Sequence, residues 1–178
     1  LPDNAVKESQ QRIDSALGEL EYHIPRKKVV INMAPADIRK EGSFYDLPLA
    51  IGILSASEQI AGNGIDQYVI MGELSLDGAI KPIKGVLPIA IQAREQGFKG
   101  FILPGENAKE AAVVNNLEVL GVSHLSEVIE FFEGARSIEP TVVNTREEFY
   151  KNVAQTELDF ADVKGQENVK RALEIAAA

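Results

Sequence analysis

The chain has 178 residues, no cysteine and a formal net charge of −9. Its length suits one well-packed domain with a tail, or two small ones. Without cysteine, disulfides and thiolate metal sites are excluded and a reducing cytoplasm is the simplest home. No run approaches the roughly 18 apolar residues of a membrane span, which reads as a soluble chain, and the acidity opposes nucleic-acid binding unless cations are locally concentrated. Leu1 stands where an initiator methionine would, which reads as an internal position of a longer protein or as a processed start.

The first stretch, PDNAVKESQQRIDSALGEL, has a cap candidate at Asp3 or Asn4 and then Val6, Ile13, Leu17 and Leu20 at helical spacing. Glu8 stands four residues before Arg12, so the spacing predicts an amphipathic helix. After the break at His23 to Pro25, the β-branched run KKVVINMA predicts a buried strand. A loop with Pro35 and Gly42 leads to Asp46 as a helix cap, with Pro48 in the first turn where a missing N–H costs little. The next helix, LPLAIGILSASEQ, is apolar on several sides and should be buried.

DQYVIMGELS predicts a second strand, and the Asp77-Gly78 pair predicts a hairpin returning through IKPI. VLPIAIQAREQG then reads as a helix closed by Gly97, FKGFILP as a strand, NAKEAAVVNN as a helix opened by Asn107, and LEVLGV as a strand. SEVIEFFEGA completes the series as a helix capped by Ser126. Strands alternating with helices of about ten residues predict an α/β layer with mostly parallel pairing. The domain should end near Ala135. From Arg136 to Leu158 the charges, Pro140 and the lack of an apolar period read as a linker (136–158), with 159–178 a separate terminal segment. Its last helix should carry Val169, Leu173 and Ala176 on an inner stripe.

Chemistry is sparse. No G-x-x-x-x-G-K-[ST] string is present to cradle a nucleotide phosphate. His23 and His124 lie far apart without neighbouring ligands and read as exposed boundary residues, so no metal site is expected. The carboxylates are scattered over helix faces and read as solvated surface. Two readings stay open for a nucleophile: Ser43 and Lys84 as a serine–lysine pair, since burial can make a lysine a base, or a plain loop serine and lysine. Arg26, Lys27, Lys28, Arg39 and Lys40 are the dense cations, either a small DNA-binding patch or solubilising ends of a strand.

Two stretches carry a family resemblance. SFYDLPLAIGILSAS and VIMGELSLDGAIKPIKGVLPIAIQAREQGFKGFILPGENAKEA resemble the proteolytic-domain fold of Lon proteases. With LPDNAVKES and FADVKGQENVKRALEIAAA, the chain more closely resembles the amino-terminal domain of magnesium-chelatase-like AAA+ ATPases of the YifB/ComM family. The resemblance implies an α/β (α+β variant) Lon-like sheet flanked by helices, with a left-handed crossover, over residues 1–135. It also implies earlier strands before Leu1 and a Walker loop after Ala178. Asp46-Leu47-Pro48-Leu49-Ala50-Ile51 matches the Lon motif whose fourth residue is the nucleophilic serine. The basic lysine matches Ile89. The resemblance thus implies a peptidase fold without its dyad, with Leu49 and Ile89 as core residues. Residues 159–178 would begin an AAA+ module, in which Val163, Gly165 and Gln166 pass the adenine edge. In the full-length protein ATP and Mg2+ would be cofactors, a hexameric ring the assembly, and its own motor domain, neighbouring subunits and DNA the partners. The chain itself would need no cofactor.

Overall fold

The computed structural model describes residues 4–32, 42–144 and 163–177. They fall into two compact units, Leu1–Val143 and Asn144–Ala178. Arg39 and Lys40, most of the expected linker and the end of the KKVVINMA run lie outside the described residues.

Unit one opens with α1 (Asn4–Glu19), followed after the 23–45 region by α2 (Asp46–Ala56). Then come β1 (Tyr68–Ile70), the hairpin strands β2 (Glu73–Leu74) and β3 (Ile80–Lys81), and α3 (Val86–Glu95). β4 (Gly100–Pro104), α4 (Ala108–Ala111), β5 (Glu118–Val122) and α5 (Leu125–Phe132) complete it. The main sheet has the order β1-β4-β5, all parallel, with Val69 beside Phe101 and Phe101 beside Val119. Parallel strands joined by helices are covered on both faces, and β4 is accordingly buried along its whole length. The alternation of side chains assigns the faces. Ile70, Ile102, Leu120 and Val122 pack with α1, α2 and α5, whereas Phe101, Leu103 and Val119 pack with α3 and α4. Each fully buried Leu or Phe contributes about 1.5–3 kcal/mol, so this two-sided core holds unit one together.

The α/β class, α1, the buried stripe Leu47, Ala50, Ile51 and Leu54 of α2, and the parallel pairing match the sequence reading. So does the hairpin, where Gly78 has φ +85° and its N–H meets the Ser75 carbonyl at 3.0 Å. Gly97 closes α3 at φ +80°.

Several expectations are corrected. Residues 28–32 form no strand, and Val29, Val30 and Ile31 are exposed, because no ladder partner lies beside them among the described residues. The 66–75 strand is two strands, since the chain turns at Met71-Gly72 to put Gly72 in backbone bonds to Phe44 and Leu47. Asp46 is not the cap of α2; Tyr45 holds that position and Asp46 is the first helical residue. Asn107 makes no cap bond. Its amide instead clasps the Ile83 backbone on both sides at 2.9 Å, and the helix after it is a single turn. His124, not Ser126, caps α5: its ring accepts from the Ser126 N–H at 3.2 Å, and Nε2 reaches the Asp77 carbonyl at 2.9 Å. This half-buried histidine ties the hairpin to α5, so it is no exposed boundary residue. Past Ala135 the chain still packs: Ile138 joins the core and the Thr141 N–H donates to Val119 O at 2.8 Å.

In unit two, Gly165 and Gln166 take positive φ and α6 (Glu167–Ala177) follows. Val169, Leu173 and Ala176, expected as an inner stripe, share one face of α6 by their spacing, and all three are exposed.

Candidate functional site

The site is built around α2, whose two ends differ in chemistry. At its amino-terminal end the Asp46 carboxylate is completely buried. Ser9 Oγ donates to it at 2.5 Å, Arg12 Nε at 2.6 Å and Arg12 Nη2 at 3.2 Å, with the Leu74 N–H at 3.4 Å. A buried charge is tolerated only when paired and hydrogen-bonded, and this one is both. The hydrogen bond to Asp46 holds the Arg12 guanidinium above its ordinary pKa, against the opposing effect of burial. The carboxylates of Glu73 and Glu8 add to that attraction. Ser43 Oγ donates to Glu73, so one polar network joins α1, the loop before α2, α2 and β2. The reading of the carboxylates as scattered surface missed Asp46. Its position before an apolar helix resembles an ordinary cap, and nothing in the local sequence points to Arg12, 34 residues earlier.

The residues singled out in the sequence do not converge on one place. Leu49 is half-buried on α2 and packs with the α1/α2/α5 core, while Ile89 is half-buried on α3 and packs with the opposite core. The structure therefore places them on separate clusters, and neither is fully buried. Both positions are hydrocarbon and can neither attack a carbonyl nor accept a proton. Ser43 is half-buried and committed to Glu73, Lys84 is exposed, and no hydrogen bond joins the two. Val163, Gly165 and Gln166 are exposed at the entry to α6, where the Gln166 carbonyl accepts from Val169 N and Lys170 N.

At the carboxy-terminal end of α2 the arrangement is open. Gln59 pins the segment that follows α1: its Nε2 donates to His23 O at 2.9 Å and its Oε1 accepts from His23 N at 3.2 Å. The pinned segment runs on through Arg26, Lys27 and Lys28, all exposed, and encloses with Ile53, Ala56 and Glu58 a groove of about 1030 Å³. A smaller apolar cavity of about 170 Å³ lies between Ile13, Ile24, Val29, Ile31, Leu49 and Ile53. Among the described residues no cluster of histidine or carboxylate side chains could hold a metal ion, and no helix is long and apolar enough to cross a membrane.

The family model described as subunit ChlI of Mg-chelatase matches residues 1–107. This chain belongs to the ChlI family. Among its relatives is YifB of Escherichia coli (strain K12), 41% identical over 100% of this chain and 34% of that protein. The competence protein ComM of Haemophilus influenzae is 37% identical over 100% of this chain and 35% of its own length. Lon protease 2 of Bacillus subtilis is 36% identical over 98 residues, 54% of this chain and 17% of that enzyme. The chain thus spans about a third of the YifB and ComM proteins it matches. The ChlI assignment and the partial Lon similarity agree with the resemblance carried by GELSLDGAIKPIKG and its flanks.

Proposed function

We propose that this ChlI-family chain is a non-catalytic regulatory and assembly domain of a ring-forming, cytoplasmic AAA+ ATPase. The observation that carries the reading is that the chain aligns along its full length with a competence protein, while its Lon-similar part has Leu49 and Ile89 where the resemblance puts the dyad. A Lon-like fold without those groups supplies a scaffold and not turnover, since function resides in the site and not in the fold. In the full-length protein ATP and Mg2+ are bound by the motor that follows, with Val163, Gly165 and Gln166 at the adenine edge. The substrate is branched DNA handled during transformation or recombination, with Arg26, Lys27, Lys28, Arg39 and Lys40 as this domain's contribution. The test is phosphate release from ATP: the full-length protein hydrolyses ATP, and the isolated 178-residue chain does not. Hydrolysis by the isolated chain overturns the assignment.

The competing reading, a peptidase using Ser43 and Lys84, is tested separately by a fluorophosphonate probe. Ser43 is bound to Glu73 and not to Lys84, so labelling is expected to be absent. Labelling that disappears in Ser43→Ala would establish the peptidase.

A further inference from the structure

The chain holds two pairs in which glycine follows Asn or Asp: Asn63-Gly64 and Asp77-Gly78. Such pairs favour tight turns because glycine accepts positive φ, and both glycines have it, at +75° and +85°. They also share a reactivity. With no Cβ on the glycine, its main-chain nitrogen can close on the side-chain carbonyl carbon of the residue before it, and how firmly the turn is held decides whether it does.

The two turns are held differently. Gly78 is buried, its N–H donates to Ser75 O at 3.0 Å and its carbonyl accepts from Leu125 N at 2.9 Å. Asp77 Oδ1 accepts from the Ala79 N–H at 3.1 Å, and the Asp77 carbonyl meets His124 Nε2 at 2.9 Å. The nitrogen and the carboxyl that would react are therefore both occupied. At the other pair Asn63 is exposed, and among the described residues neither its side-chain amide nor the Gly64 N–H has a hydrogen-bond partner. That turn is closed across Asn63-Gly64 by the Ile65 N–H on Gly62 O at 3.4 Å, a long bond.

We infer that Asn63 is a site of spontaneous deamidation in the native protein. Gly64 N gives its proton to solvent base and bonds to Asn63 Cγ, and Nδ2 leaves as ammonia, so a cyclic succinimide forms. Water then opens the ring. Addition at Cγ restores the ordinary main chain with an aspartate at position 63, whereas addition at the main-chain carbonyl carbon leaves an isoaspartate whose main chain runs through Cγ. The sum is amide plus water giving carboxylic acid plus ammonia, with nothing oxidised or reduced. Reaching the reactive geometry needs only local opening of the turn, which one long hydrogen bond opposes weakly. Either product places a new negative charge beside the acidic Ile65–Gln67 turn, and the isoaspartate lengthens the main chain just ahead of β1.

The test is incubation of the full-length protein at mildly alkaline pH, native and in urea, with circular dichroism confirming that the native sample stays folded. Cleavage after glutamate in mildly acidic buffer yields the peptides 59–73 and 74–95, which separate Asn63 from Asp77. Mass spectrometry reads amide-to-acid conversion, and isoaspartyl methyltransferase labelling reads the rearranged product. Conversion at Asn63 in the native protein is expected within about tenfold of its rate in urea, because the turn opens at little cost. Isoaspartate at Asp77 is expected to be suppressed by the fold by more than about tenfold relative to urea. Asn63→Gln, at an exposed position that tolerates change, is expected to abolish the acid product in peptide 59–73. Native protection of Asn63 beyond about tenfold overturns the site, whether the turn itself or another part of the protein shields it. Acid product that persists in Asn63→Gln also overturns it and moves the reaction to Gln59 or Gln67. Equal native reactivity of the two pairs, each measured against its own rate in urea, overturns the hydrogen-bond argument that distinguishes them.

Discussion

At one end of α2 a carboxylate is buried and met by four donor atoms; at the other, three cations stand in solvent beside an open groove. The first arrangement joins three elements of the fold, and its charges are consumed by each other. The second leaves charge unspent on a surface that the Gln59–His23 clasp keeps in place. The contrast separates charge that specifies structure from charge available to a partner.

Substitutions at the closed end should have the largest effects. Asp46→Ala removes the acceptor of Ser9, Arg12 and Leu74, and is expected to cost about 3–5 kcal/mol, the range for breaking a buried pair; urea unfolding midpoints measure it. A loss below about 1 kcal/mol would place Asp46 with ordinary surface charge. Gly72→Ala comes next, because a Cβ there would lie 2.9 Å from Ile80 Cγ2 and 3.1 Å from Leu47 Cδ2. Overpacking of this kind costs about 1–3 kcal/mol, read from the same unfolding curves.

At the open end the effects on stability should fall away. Gln59→Ala removes two bonds to the His23 backbone and is expected to cost about 1 kcal/mol, with amide exchange rising across residues 22–32. Lys27→Glu/Lys28→Glu should change unfolding free energy by less than about 0.5 kcal/mol. A large destabilisation there would show that these lysines serve the fold and erase the contrast between the two ends.

How far the sequence was legible follows the same division. Local patterns with one physical solution were readable: the 3.6-residue stripe of α1, the Asp77-Gly78 turn, the Gly97 stop and the buried β4 run. Long-range pairings were not. Nothing in EGSFYDLP announces that Asp46 meets Arg12, and Asn107 and His124 look like ordinary neighbours of helix starts until Ile83 and Asp77 are brought to them. The KKVVINMA run illustrates the limit of propensity: β-branched residues form a strand only where a ladder receives them, and none is beside residues 28–32 among those described. The dyad positions were legible as hydrocarbon from the motif match alone, but their separation onto opposite faces of the sheet required the topology.

The central claim is that this domain performs no chemistry and couples the motor to nucleic acid. It is tested most directly by the ATPase rate of the full-length protein with and without residues 1–143, each measured in the presence and absence of branched DNA. The account predicts that removing the domain abolishes the stimulation of hydrolysis by DNA. Full stimulation without the domain would contradict it.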